Sequence, residues 1–183
     1  MVLSLRSGVM RSKDPKILYQ ARNLACAGNN VFDTGFAPFS AENISKDFRI
    51  TIRISSFTKT AGSNNQDVIL GCKYEGTKDG QQYPGIYVRL FNSNQNLFQI
   101  GGYNYWQPNI TDVLGTTLYI WRKNGAFYGQ LEGGTRNTLS VRSTQFDQNI
   151  ILGAGEQTNG TNFRYSTCTI EFIRVEVSDS GTE

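Results

Sequence analysis

From Phe48 onward the apolar side chains recur at every second position, and this period limits the chain's possible folds more than any other feature. Phe48, Ile50, Ile52 and Ile54 alternate with Arg49, Thr51 and Arg53. A strand with one buried and one wet face reads this way, whereas a helix brings its apolar residues back at intervals of three and four. The same beat returns in Val68, Leu70 and Cys72. It returns again in Ile86, Val88 and Leu90, with Tyr87, Arg89 and Phe91 facing the other way. Residues 97–100 follow the polar turn Asn92–Gln95 and supply a hairpin partner for that strand. Asn124-Gly125 stands between the apolar runs Leu118–Trp121 and Phe127–Leu131. Such a pair predicts a type I′ turn, because both central residues need positive φ. Ile150, Ile151 and Leu152 form a short buried strand that ends at Gly153-Ala154-Gly155. In the last strand, Thr167–Val177, the apolar phase runs Cys168, Ile170, Phe172 and then Ile173, Val175, Val177. That slip predicts a β-bulge at Phe172-Ile173. About eight short strands with polar turns give an all-β fold: two packed antiparallel sheets, a β-sandwich of jelly-roll type. No long amphipathic helix is available for the crossovers of a parallel sheet.

The first thirty residues read differently. Asp14-Pro15 could cap and open a helix, with Ile17, Leu18, Ala21, Leu24 and Ala25 at helical spacing and Ala27–Asn30 as its stop. The alternative is a peripheral extended arm. The expected organisation is therefore a short helix or arm over 1–30 and one sandwich domain over 31–183. A chain of 183 residues buries roughly 70% of its unfolded surface, which supports a core without disulfide staples.

Composition excludes several classes. The 38% hydrophobic fraction together with 19 Gly marks a globular chain. The net charge of +3 is mild, and Arg49, Arg53, Arg89, Arg122, Arg142 and Arg174 are scattered singly along strands. They read as solvated strand positions, so no nucleic-acid partner is expected. Cys26, Cys72 and Cys168 are odd in number and lack CxxC spacing, which argues against a disulfide framework or zinc. Cys72 and Cys168 sit in apolar contexts and read as buried free thiols. No continuous apolar segment suggests a signal peptide or membrane span, so synthesis in the cytoplasm is expected, with release in a particle such as a virion left open. Asn43, Asn109 and Asn159 open glycosylation-type triplets and are read as loop residues.

Three stretches carry a resemblance. Thr117–Gly129, with its strand, Asn-Gly turn and aromatic return, is similar to a hairpin of the concanavalin A-like lectin and laminin G-like jelly-roll superfamily. Ile150–Gly155 resembles that superfamily's short apolar strand ending in glycine. Cys168–Val177 resembles its closing strand, which returns to pair near the N-terminus. Val31–Phe36 resembles the opening of jelly rolls in bacteriophage tail, fibre and decoration proteins. The resemblance implies a sandwich over roughly 32–177, and a lectin-like or virion role.

Chemistry narrows the function. The chain has no His, so no His-dependent triad or His metal ligand is available. Glycosidases of the resembled superfamily carry Glu-x-Asp-x-x-Glu or Glu-x-Asp-x-Glu on one strand, and neither motif is present. Glu171 and Glu176 are five apart and straddle the expected bulge. Asp33-Thr34-Gly35 lacks the partner motif of an aspartic protease and reads as a turn. No cofactor or metal is expected. A binding site is expected in the aromatic and amide stretch Tyr103, Asn104, Tyr105, Trp106, Gln107, Asn109 and Asp112. Rings stack on the apolar face of a pyranose while amides and an acid satisfy hydroxyls. The competing reading folds these rings into the core or an interface. Three functions follow: a non-catalytic lectin-like module contacting bacterial surface glycans as a phage component, a structural virion subunit without a small ligand, or a diverged glycoside hydrolase. A homo-oligomer or other virion proteins are the expected protein partners.

Overall fold

The computed structural model describes residues 15–28, 30–59, 67–73, 77–82, 85–90, 96–102, 105–157 and 162–178. Two six-stranded sheets dominate them. Along the chain the strands are β1 (Lys16–Ala27), β2 (Phe32–Asp33), β3 (Asp47–Thr58), β4 (Val68–Lys73), β5 (Thr77–Lys78), β6 (Gln81–Gln82), β7 (Gly85–Leu90) and β8 (Phe98–Gly101). They continue as β9 (Tyr105–Trp106), β10 (Thr117–Lys123), β11 (Ala126–Leu131), β12 (Asn137–Leu139), β13 (Ile151–Leu152), β14 (Ala154–Gln157), β15 (Asn162–Tyr165) and β16 (Thr167–Ser178). One helical turn, α1 (Ile110–Val113), precedes β10. The first sheet has the order β1-β16-β3-β10-β11-β12 and the second β2-β13-β4-β7-β8-β9. All ladders within them are antiparallel. The fold is a two-sheet jelly-roll sandwich.

The period of two builds the core. Ile50, Ile52 and Ile54 of β3, Leu118 and Ile120 of β10, and Ile173 and Val175 of β16 turn inward from the first sheet. They meet Leu70, Cys72, Ile86, Val88, Phe98 and Ile100 from the second. Burial of such aliphatic side chains is worth roughly 1.5–3 kcal/mol each, which makes this layer the main source of stability. The β10–β11 hairpin turns on Asn124 (φ 50°) and Gly125 (φ 79°), both left-handed, as the type I′ turn requires.

Residues 16–27 correct one expectation. They form β1, the edge strand of the first sheet, paired along its length with β16. No helix forms there, and the segment is not a peripheral arm. Tyr19 and Ala21 pack inward before Asn23, and Leu24 and Cys26 after it. Asn23 has φ 53°, a left-handed conformation that Asn tolerates better than most residues. The change of phase there produces the helix-like spacing in the sequence. Opposite it, Glu171 is the extra residue of a bulge in β16, and Ser55 is the extra residue in β3. The bulge expected at Phe172-Ile173 therefore exists one residue earlier, at Glu171, and the irregularity extends across three neighbouring strands.

The two sheets differ on their outer sides. On the second sheet, Tyr87, Arg89 and Gln99 point away from the core, yet all are buried. The Tyr87 hydroxyl donates to the Gly102 carbonyl (3.1 Å) and Arg89 Nε donates to Gln99 Oε1 (2.7 Å). The Ser140–Val141 backbone lies against Gly102. The outer side of the first sheet is open and half-exposed.

Candidate ligand-binding face

The register of the first sheet assembles three rows of outward side chains from strands far apart in sequence. One row runs Glu176, Arg49, Trp121, Tyr128 across β16, β3, β10 and β11. The next runs Arg174, Thr51, Tyr119, Gln130. The third runs Arg22, Phe172, Arg53, Thr117 and begins on β1. Facing Cβ atoms in such rows stand about 5 Å apart, which brings neighbouring side chains within reach of one another. The Trp121 and Tyr128 rings stack at 5.4 Å and 29°. The Arg49 guanidinium lies 4.5 Å from the Tyr119 ring centre, and that of Arg136 lies 4.8 Å from Tyr128.

At the end of this face where β16 finishes, a cleft of about 470 Å³ opens. Asp47, Arg49, Trp121, Lys123, Gln130 and Glu176 line it, with Pro15 and Ser178 at its margin. It combines a ring face, two cations, an amide and carboxylates, a set able to hold a polar ring-shaped ligand.

Arg122 braces the wall of the cleft. It is 3% exposed. Its Nε donates to the Lys46 carbonyl (2.7 Å), and its guanidinium also donates to the Asn43 carbonyl. The Phe48 and Phe127 rings flank it at 5.2 and 5.7 Å. Burial pulls its pKa below the ordinary arginine value, and nearby Asp47 opposes that shift. Asp47 Oδ1 in turn accepts from the Asn124 backbone N–H at 2.9 Å, tying the hairpin turn to β3. Arg89 and Arg122 are thus buried structural cations, which corrects their reading as solvated strand residues.

The stretch expected to bind lies elsewhere. Tyr103 and Asn104 fall outside the described residues. Tyr105 and Trp106 form β9, the edge of the second sheet. Trp106 is half-buried against the core, and a Cβ at Gly129 would meet its ring carbon Cε3 at 3.0 Å. This side chain closes the sandwich between β9 and β11. Gln107, Asn109 and Asp112 are exposed. Asn109 Nδ2 donates to Asp112 Oδ2 at 3.1 Å, so these two polar groups engage each other across α1. The structure gathers Arg49, Tyr119, Trp121, Lys123 and Tyr128 into the first-sheet face instead. One signal for this was available: Tyr119, Trp121 and Lys123 occupy the outward positions that alternate with Leu118, Ile120 and Arg122.

No family model matches the chain, and no curated protein matches it in sequence. Solved structures share its fold. The carbohydrate-binding module CBM40 of the Ruminococcus gnavus IT-sialidase, bound to α2,6-sialyllactose, superposes with a TM-score of 0.52 at 18% identity. The match covers 90% of this chain and 94% of that one. The same module bound to α2,3-sialyllactose gives the same values. A K499G mutant of the NanB sialidase from Streptococcus pneumoniae superposes at 0.52 and 10% identity, over 90% of this chain and 26% of that one. These likenesses carry the jelly-roll fold.

Proposed function

We propose that this protein is a non-catalytic carbohydrate-binding module that takes its glycan on the open face of the first sheet, seated in the Trp121 cleft. The observation that carries the reading is the stacked Trp121–Tyr128 pair beside Arg49, Lys123, Gln130 and Glu176. A pyranose offers an apolar face to such a ring and a rim of hydroxyls to charged and amide groups. Support also comes from the roofed second sheet, which leaves the first as the accessible platform among the described residues. The shared fold with modules solved with sialyllactose is consistent with this reading. The virion setting and the oligomer expected from the sequence are separate matters, decided by light scattering and by the genes beside this one.

Glycan-array screening followed by titration calorimetry tests the proposal. Trp121→Ala is expected to weaken the best ligand about tenfold or more, equivalent to about 1.4 kcal/mol. Trp106→Ala is expected to keep the affinity and lower the melting temperature, because its ring seals the sandwich. Loss of binding in Trp106→Ala with retention in Trp121→Ala would move the site to the 105–112 stretch. An array with no bound glycan would refute the function altogether, and turnover of any bound glycan would refute its non-catalytic part.

A further inference from the structure

The face extends well past the cleft. Phe172 is half-buried on the outer side of β16, placed there by the bulge at Glu171. Two guanidiniums lie over its ring, Arg22 at 5.1 Å and Arg174 at 5.7 Å. A ring holds stacked guanidiniums by its negative face and leaves their edge donors pointing outward, the arrangement that pairs with carboxylates. Two like charges over one ring also repel each other, and an anion between them relieves that repulsion. Arg174 has partial local compensation: Glu176 stands 3.7 Å from Nη1 and Gln20 Oε1 accepts from Nε at 3.1 Å. Across the row, Arg53 pairs with Glu171 at 3.1 Å. Over the whole face, Arg22, Arg49, Arg53, Lys123, Arg136 and Arg174 stand against Asp47, Glu132, Glu171 and Glu176, an excess of two positive charges among the described residues.

The distance between the two contact points follows from sheet geometry. Trp121 and Phe172 lie on strands either side of β3, at the levels of Arg49 and Arg53. Two strand spacings of about 4.8 Å and four residues of about 3.3 Å put them roughly 16 Å apart, beyond a disaccharide and within reach of about three or four sugars.

We infer that the ligand is an acidic oligosaccharide chain held at two points, a sugar in the Trp121 cleft and a carboxylate-bearing sugar at the Arg22–Phe172–Arg174 cluster. This rests on the reading of the cleft as a glycan site. The two anchors differ in kind: the cleft recognises a ring, and the second cluster recognises charge at a fixed distance from it. A chain with regularly spaced carboxylates satisfies both, whereas a neutral glycan engages only the first.

Affinity gel electrophoresis of the full chain in polygalacturonate, alginate, hyaluronan and α2,8-polysialic acid supplies the first test. Retardation by at least one of the four is expected, lost in high salt. The polymer that retards most is then cut to dimers, tetramers and hexamers for calorimetry. The hexamer is expected to bind at least tenfold more tightly than the dimer. Arg22→Ala/Arg174→Ala is expected to bring the hexamer down to dimer affinity and leave the dimer unchanged. Phe172→Ala should act in the same direction, and the double arginine variant keeps the result readable if that substitution disturbs the strand. Equal affinity of dimer and hexamer, an unaffected double variant, or binding of neutral glycans alone would overturn the inference while leaving the Trp121 site standing. Equal binding of a single-stranded oligonucleotide would also overturn it, by reassigning the anion to phosphate.

Discussion

Gly153 offers a sharp test of how the sandwich edge is packed. It follows β13, where its N–H donates to the Ile69 carbonyl (2.8 Å) and its carbonyl accepts from Ser166 (2.9 Å). Its φ is +79°, and a Cβ there would stand 2.7 Å from Cys26 Sγ, 3.0 Å from Cys26 Cβ and 3.1 Å from the Asn30 carbonyl oxygen. Gly153→Ala therefore meets two costs. The left-handed backbone costs roughly 1–2 kcal/mol, and forcing atoms into a filled site adds roughly 1–3 kcal/mol. Gly133 separates them, since its φ is +74° with nothing within 4 Å of the added carbon. For a domain of this size about 1 kcal/mol moves the melting temperature by roughly 2–4 °C. Calorimetric melting should show a loss of about 3 °C for Gly133→Ala and about 9 °C for Gly153→Ala. Adding Cys26→Ala removes the nearest atom, so the double variant should recover about 1 kcal/mol relative to additivity. Equal shifts for the two glycines, or strict additivity with Cys26→Ala, would refute the idea that β13 and β1 are locked together at this point.

Two further predictions concern buried groups. Burial pushes the Cys72 thiol up to about 12 from its ordinary 9.0. The folded state holds it neutral while the unfolded chain ionises, so its stabilising contribution is complete below pH 9.0 and declines above it, by about 1.4 kcal/mol per pH unit at first. Urea midpoints at pH 8 and 10 should fall less in Cys72→Ala than in the parent, and identical falls would contradict this. Arg122→Met strips donors from the Lys46 and Asn43 carbonyls and should lower stability by about 3 kcal/mol in urea titration, with Arg122→Lys only partly restoring it. An unchanged midpoint in Arg122→Met would mean that these carbonyls do not depend on it.

Much of the architecture was legible because a sandwich writes itself as alternation. The strands around Ile50, Val88 and Ile120 each carry one apolar and one outward set, and Asn124-Gly125 announces its own turn. Residues 16–27 misled because an alternating pattern broken at Leu18 and again at Asn23 places Ile17, Ala21, Leu24 and Ala25 at helix-like intervals. The second sheet's outer side was also opaque, since no local pattern says that Tyr87 and Arg89 will be roofed. The site was harder still. Tyr103–Asp112 stands out in the sequence because its rings and amides are contiguous; of its described side chains, Trp106 turns to the core and Asn109 donates to Asp112. The face that does converge draws Arg22 to Phe172, and Glu176 to Arg49 and Trp121, across some 150 residues of chain. Only the registers bring them together, and registers are a property of the folded sheet. The phage likeness rested on Val31–Phe36, which forms a turn where Asp33 Oδ1 accepts from the Gly35 N–H; that turn says nothing about a particle.

The aligned irregularity at Asn23, Glu171 and Ser55 behaves like a set of matched frameshifts. Each strand gains one residue at the same level, so the reading frame of inward and outward positions changes on all three and stays mutually consistent on both sides. Deleting Glu171 alone would leave Ile170, Ile173 and Val175 on the inner side in plain alternation, and would leave the extra residues at Asn23 and Ser55 without their counterpart on β16. Deleting all three together would restore a plain ladder with the same inner and outer sets, Phe172 still outward beneath Arg22 and Arg174, so the three insertions are tolerated only as a matched set.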